Sequence, residues 1–238
     1  MQGIAENYAR GWSMSKNRSL KKLFLFFLLI SVLGGCLFKI GSVDCGISRL
    51  SCIEDLQNSD ITLNYAWSES DAADLTKDAS GNLYGVGSAQ VIAVVFPVGN
   101  FIQTEGSIGQ EVTVEKVLKG EDQVAAGERC YVYKYFGFYP VDGKIEFCGD
   151  INLMIPGNKY LIFMDASPLN KYQKEDTFIL ASENFGYIKI DAEPTKTLDA
   201  DYGRYQLADL EAYEFFSTSE TVTESLNAAR RELLESYL

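Results

Sequence analysis

The sequence predicts a mainly β fold with C-terminal helices, an α+β chain whose short strands close into a barrel or a sandwich. Three observations predict it. Between Tyr84 and Asp191, runs of β-branched and aromatic residues alternate with turn clusters rich in Gly, Pro and Asn. After Tyr205 the pattern changes to apolar residues at helical spacing. The composition, 47% hydrophobic and 23% charged over 238 residues, is that of a globular chain.

Taken in order, residues 37–60 are polar, hold two cysteines and lack sustained periodicity, so they read as a tether plus a stapled loop. Ile61 to Trp67 suits a short strand, Ser68 to Asp78 a brief helix or polar loop, and Asp78 to Asn82 a turn. Val91 to Val98 is a continuous apolar run with Pro97 near its end. Gln110 to Leu118 alternates, placing Val112 and Val114 on one face and Glu111, Thr113 and Glu115 on the other. Arg129 to Phe136 is rich in Tyr and Val, and Lys144 to Cys148 is expected to return against it across a turn at Phe138 to Gly143. Tyr160 to Met164, Thr177 to Leu180 and Tyr187 to Ile190 complete the strands. Leu207, Leu210 and Tyr213 then fall at helical spacing. A capping box of Thr221 and Glu224 precedes a helix whose apolar face is Val222, Leu226, Ala229, Leu233 and Tyr237. These helices are expected to pack on the barrel.

The front of the chain carries the most specific signal. Lys16, Arg18, Lys21 and Lys22 precede the apolar run Leu23 to Leu33 and the small residues Gly34 and Gly35, the layout of a secretory signal. The tetrad Leu33-Gly34-Gly35-Cys36 resembles the lipobox of bacterial lipoproteins. That resemblance implies cleavage after residue 35, thioether lipidation of Cys36, acylation of the new amino group, and residence on the outer face of a cell membrane. The alternative is an uncleaved membrane helix, but Leu23 to Phe38 offers 16 residues before Lys39, where spanning takes about 20. A start at Met14 would give a signal of ordinary length. The expected organisation is a signal at 1–35, a lipid tether and stapled loop at 36–60, a β-barrel at 61–192 and helices at 193–238.

Five cysteines are odd in number for an exported chain, and assigning Cys36 to lipid leaves four. Of the three connectivities open to them, Cys45–Cys52 is favoured as a tight local loop. Cys130–Cys148 is favoured because the pair is symmetric about position 139, where two facing strands would fold. A metal site lacks both close Cys spacing and histidine partners.

The central stretch contains Ala89-Gln90-Val91-Ile92-Ala93-Val94-Val95, then Val112-Thr113-Val114-Glu115-Lys116-Val117-Leu118-Lys119-Gly120, then a Gly-initiated run from Gly127 to Tyr133. Ile155-Pro156-Gly157-Asn158-Lys159-Tyr160-Leu161-Ile162-Phe163 and Gly186-Tyr187-Ile188 follow. Over about residues 84–191 this resembles a bacterial version of the domain named after tissue inhibitors of metalloproteinases. The resemblance implies a small OB-like β-barrel. The family's inhibitory members use a free N-terminal cysteine on the protease zinc. Here Cys36 is the residue expected to be lipidated and no Cys-x-Cys follows it, so that activity is not carried over.

Charge narrows the function further. Lys plus Arg is 21 against Asp plus Glu at 33, a net charge of −12. Loss of residues 1–35 removes five basic residues and one acid, leaving 203 residues at −16. A polyanion is a poor partner for such a surface, so nucleic acid is not expected. The absence of histidine removes Ser-His-Asp and Cys-His machinery and His-ligated zinc. No phosphate loop is present, and Asp199-Ala200-Asp201-Tyr202-Gly203 lacks the later ligands of a calcium loop. No catalytic residue, metal or cofactor is assigned. The candidate binding surface is Tyr131, Tyr133 and Tyr135 on one strand face, where OB-folds stack ligands. The competing account has these rings packed under the C-terminal helices, covering a barrel face. Lys134, on the opposite face, indicates a strand that is at least half solvated. The expectation is a non-enzymatic, membrane-anchored module facing an envelope protein or glycan. The alternative is a histidine-free, carboxylate-dependent hydrolase of envelope polymers.

Overall fold

The computed structural model describes residues 50–57, 59–70, 85–103, 107–134, 137–141, 144–149, 151–167, 176–182, 184–199 and 203–238. All lie within the unit Ser48–Leu238; the signal segment, Cys36, Cys45, Tyr135 and most of the 68–82 stretch fall outside the described residues.

Among the described residues ten strands form: β1 (Ile61–Leu63), β2 (Val91–Gln103), β3 (Ile108–Lys119), β4 (Arg129–Lys134), β5 (Gly137–Val141), β6 (Lys144–Cys148), β7 (Tyr160–Ala166), β8 (Thr177–Leu180), β9 (Tyr187–Lys189) and β10 (Arg204–Tyr205). Two helices follow late in the chain, α1 (Leu207–Leu210) and α2 (Glu220–Tyr237).

The apolar run starting at Val91 becomes the spine of a closed, five-stranded, OB-like barrel. Strands β2, β3, β4, β8 and β7 pair in that order, and β2 pairs again with β7 to complete the ring. Closure leaves no open edge between these five strands. One junction, β4 with β8, is parallel; the others are antiparallel. The β2–β3 hairpin coils by register shifts at Ile92/Ala93, Val94/Val95 and Pro97/Phe101. Pro97 therefore sits beside an irregularity, where a missing N–H is tolerated. Gly120 ends β3 at φ 86°, and a Cβ there would stand 2.7 Å from the Gln90 carbonyl oxygen. Only glycine fits that close approach.

Val112 and Val114 point inward as their alternation requires, joining Val91, Ala93, Val95, Leu161 and Phe163 in the first core. Helix α2 closes this core with Val222, Leu226, Ala229 and Leu233, and Tyr237 meets Phe163 edge-on at 5.2 Å. The helix begins two residues earlier than the expected box: Ser219 is the N-cap, its hydroxyl accepting from Val222 N, and Thr221 lies inside the helix.

A second sheet, β10-β1-β6-β5, covers a second core. Here β1 runs parallel to β6, whose residues lie more than eighty positions away. Leu50, Ile53 and Leu56, from the stretch expected to be a tether, are buried in this core with Phe101, Phe147 and Phe216.

Two expectations are corrected. Lys144–Cys148 does not return against Arg129–Phe136. It pairs with β5 inside the segment read as a turn, with Gly137 opposite Cys148 and Val141 opposite Lys144. Cys130 consequently sits in the barrel and Cys148 in the other sheet, and neither is in a disulfide; Cys52 is also a free thiol, and its expected partner Cys45 lies outside the described residues. Burial, reinforced by the nearby charges of Asp176 and Glu128, pushes the Cys130 thiol up to about 12.

Two measurements check these points. Iodoacetamide is expected to label Cys148 in the native protein, and Cys130 only after denaturation without reductant; failure of both to label in denaturant would reveal a bond between them. Ser219→Ala is expected to lower unfolding free energy by about 1 kcal/mol. Thr221→Ala should stay within about 0.5 kcal/mol in the same denaturant titration.

Candidate functional site

Tyr131 and Tyr133, two of the three tyrosines singled out from the sequence, lie on the outer side of β4, and Tyr135 falls outside the described residues. Burial alternates along the strand, with Tyr131 and Tyr133 half-buried and Cys130, Val132 and Lys134 facing in. Tyr133 lies against Gly109 of β3, its cross-strand partner. A Cβ at Gly109 would come within 2.8 Å of Tyr133 Cζ, so the ring covers the glycine backbone directly. Tyr133 is thereby committed at least partly to packing on the barrel.

Lys134 overturns the expectation of a solvated face. It is 5% exposed. Its Nζ donates to the Ile151 carbonyl and to the Tyr187 hydroxyl, each at 3.0 Å, and stands 5.2 Å from the Phe147 ring centroid. A lysine can be interior when its ammonium finds acceptors and ring faces. Tyr187 passes the chain on, its hydroxyl donating to the Asn152 carbonyl.

Asn152 leads to the feature that sequence reasoning missed. Its side-chain amide donates to the carbonyls of Leu210 and Tyr213 at 2.7 and 2.9 Å, tying the segment after β6 to the segment before α2. Where these segments meet β7 and β9 they enclose a cavity of about 230 Å³. Its walls include the rings of Tyr160, Tyr187 and Tyr213. Tyr160 and Tyr187 meet edge-on at 5.9 Å and 89°, and the Tyr160 hydroxyl accepts from Ile155 N at 2.8 Å. Burial raises the Tyr160 phenol well above its ordinary value. Asp191, Glu193 and Glu211, all exposed, stand at the mouth with Lys189.

Glu214 forms the inner wall. Its side chain is 5% exposed, and its Oε1 accepts from Lys189 N. Oε2 lies 2.9 Å from Arg230 Nε, off the line of a hydrogen bond, so the contact is one of charge. The Arg230 Nη2 donates to the carbonyls of Lys189, Ile190 and Ala192 at 2.9, 3.3 and 2.9 Å. Burial pushes the Glu214 carboxyl up to about 7, against the opposing pull of Arg230, the Lys189 N–H and the Lys189 charge. Two sequence signals pointed here: Glu214 interrupts the apolar run Tyr213-Glu214-Phe215-Phe216, and Arg230 falls on the apolar stripe four residues after Leu226. No group of three or more His, Cys, Asp or Glu among the described residues is placed to hold a metal ion.

The raised carboxyl has a consequence for stability. A folded-state value near 7, above the ordinary 4.5, favours folding fully below pH 4.5 and loses that contribution as pH rises to 7. The expected outcome is that wild type loses stability relative to Glu214→Gln between pH 4.5 and 7, with the difference flat above, as read by urea titrations across that range. No protein-family model and no curated protein sequence matches this chain.

Proposed function

We propose that this chain is an exported lipoprotein, anchored at the outer face of a bacterial membrane through Cys36, that serves as a non-enzymatic binding module in the cell envelope. The supporting observation is the cavity between the barrel and the segment leading into α2: aromatic walls with polar groups held by internal bonds, the composition of a small-ligand or glycan subsite. The anchor rests on the basic, apolar and small-residue sequence ending at Cys36. The half-buried Tyr131 and Tyr133 of β4 are a second candidate surface on the same barrel.

A carboxylate-dependent hydrolase is the second reading, favoured by one observation: Glu214, with its raised carboxyl, shares the cavity with three other acids. Against it, both oxygens of Glu214 face fixed partners, the Lys189 amide and the Arg230 guanidinium. A free general acid needs at least one of them for substrate.

Detergent phase partitioning with intact-mass measurement tests the anchor. The full chain expressed in a bacterial host is expected in the detergent phase, lacking residues 1–35 and carrying the mass of a lipidated, acylated cysteine. Cys36→Ala should move it to the aqueous phase or leave it uncleaved. A soluble wild-type species retaining its signal residues with Cys36 unmodified would overturn the anchor, and polymer turnover lost in Glu214→Gln would replace the binding module with the hydrolase.

A further inference from the structure

We infer that the cavity between Tyr160, Tyr187, Tyr213 and Glu214 takes a primary ammonium group on a short stem. The inference deepens the binding-module reading and rests on it.

The charge count at the site sets the sign of the ligand. Glu214 is balanced by Arg230 at 2.9 Å, and Lys189 offsets one acid. Of Asp191, Glu193 and Glu211, none has an ion-pair partner among the described residues, so two negative charges at the mouth remain uncompensated. A whole-protein balance of −16 after removal of residues 1–35 adds to this field. Anions are repelled, and a neutral ligand makes no use of it.

The distribution of the acids selects an organic cation over a metal ion. Chelation needs several oxygens converging within a few ångströms. No such cluster exists among the described residues, and the acids are spread around an opening instead. Between them lie Tyr160, Tyr187 and Tyr213. Lys134 Nζ already occupies the Tyr187 ring, 5.6 Å from its centroid, which leaves Tyr160 and Tyr213 to attract an ammonium and flank its stem. At the inner end Glu214 Oε2 faces Arg230 Nε at 2.9 Å, so that wall is an ion pair and the cation is held by the acids at the mouth and the rings beside them. The volume sets the size. About 230 Å³ is the share of liquid volume of roughly eight waters, enough for a butylamine-sized group or one amino sugar and too small for an extended chain. The same chemistry can arrive as a free amine or as an amine borne by an envelope polymer.

The test is an NMR titration of the folded chain at low salt, following the Tyr160, Tyr187 and Tyr213 resonances. The probes are n-butylammonium, 1-butanol, glucosamine and N-acetylglucosamine. Butylammonium is expected to shift all three tyrosines, with 1-butanol at least about tenfold weaker. The double variant Glu193→Gln/Glu211→Gln changes two exposed residues and should keep the fold. It should weaken butylammonium binding about tenfold or more while leaving the spectrum elsewhere unchanged. Glucosamine shifting the tyrosines at lower concentration than butylammonium would identify an amino sugar as the source; the reverse order would identify an aliphatic amine. Equal binding of 1-butanol, or preference for N-acetylglucosamine over glucosamine, would overturn the ammonium inference and leave the cavity as a binding site. Silence of the three tyrosines to every probe would overturn both the inference and the cavity's role, with the membrane anchor still decided separately by phase partitioning.

Discussion

One buried guanidinium ties helix α2 to the end of the β9 ladder. Arg230 reaches from α2 to the point where the β9 ladder ends, and its Nη2 serves three consecutive-turn carbonyls, those of Lys189, Ile190 and Ala192. Without it these acceptors would face a buried helix with no donor. Glu214 supplies the counter-charge. A buried pair of this kind adds little net stability over an apolar one, because desolvation consumes most of the Coulomb gain. Its effect is on register: removing either partner strands a charge, so the helix, the exit of β9 and the segment before α2 accept only one mutual arrangement. The main chain of Glu214 extends the constraint, with its N–H donating to Thr195 Oγ1 at 3.0 Å and its carbonyl accepting from Asn152 N at 2.9 Å.

From that fixed point the cavity follows. The segment around Asn152 is tied to the turn after α1 by one side-chain amide, and to the barrel interior through Tyr187 and Lys134. Each tie satisfies polar atoms rather than filling volume. Where three such segments converge on hydrogen bonds, space is left between the aromatic rings beside them, and that space is the cavity. Two of these rings have their hydroxyls occupied: Tyr160 by the Ile155 amide, Tyr187 by Lys134 and Asn152.

Local pattern carried most of the barrel. Alternation located β3, turn clusters bounded β6 and β8 to the residue, and helical spacing found the buried face of α2. The failures have a common physical origin in partners that arrive from elsewhere in the chain. Lys134 looks like a solvated residue until the Ile151 carbonyl, 17 positions on, and the Tyr187 hydroxyl, 53 positions on, are brought to it. The hairpin was misplaced for a local reason. Six residues read as one turn hid a strand, although Asp142-Gly143 alone is the dipeptide of a two-residue connection and the pairing of Val141 with Lys144 leaves room for no more. Once β6 pairs with β5 and, on its other side, with β1, the two cysteines expected to bond are drawn into different sheets. The candidate site was nearly illegible, because a cavity depends on what three separated segments leave unfilled; only the charges interrupting two apolar stretches, Glu214 and Arg230, marked its inner wall in advance.

The placement of charge connects this interior to the surface. Two of the chain's cations, Lys134 and Arg230, are turned inward to neutralise carbonyl oxygens and one carboxylate, and are therefore withdrawn from the outer face. A chain already short of basic residues thus shows the solvent an even more negative field than its composition states. That field is screened within about 8–10 Å in physiological salt over open surface. It persists further where low-dielectric walls exclude water. The cavity mouth is such a place: acids outside, rings inside, and the inner wall closed by a carboxyl whose charge is shared with Arg230. Cations spent on internal order and acids left at the rim are two sides of one arrangement.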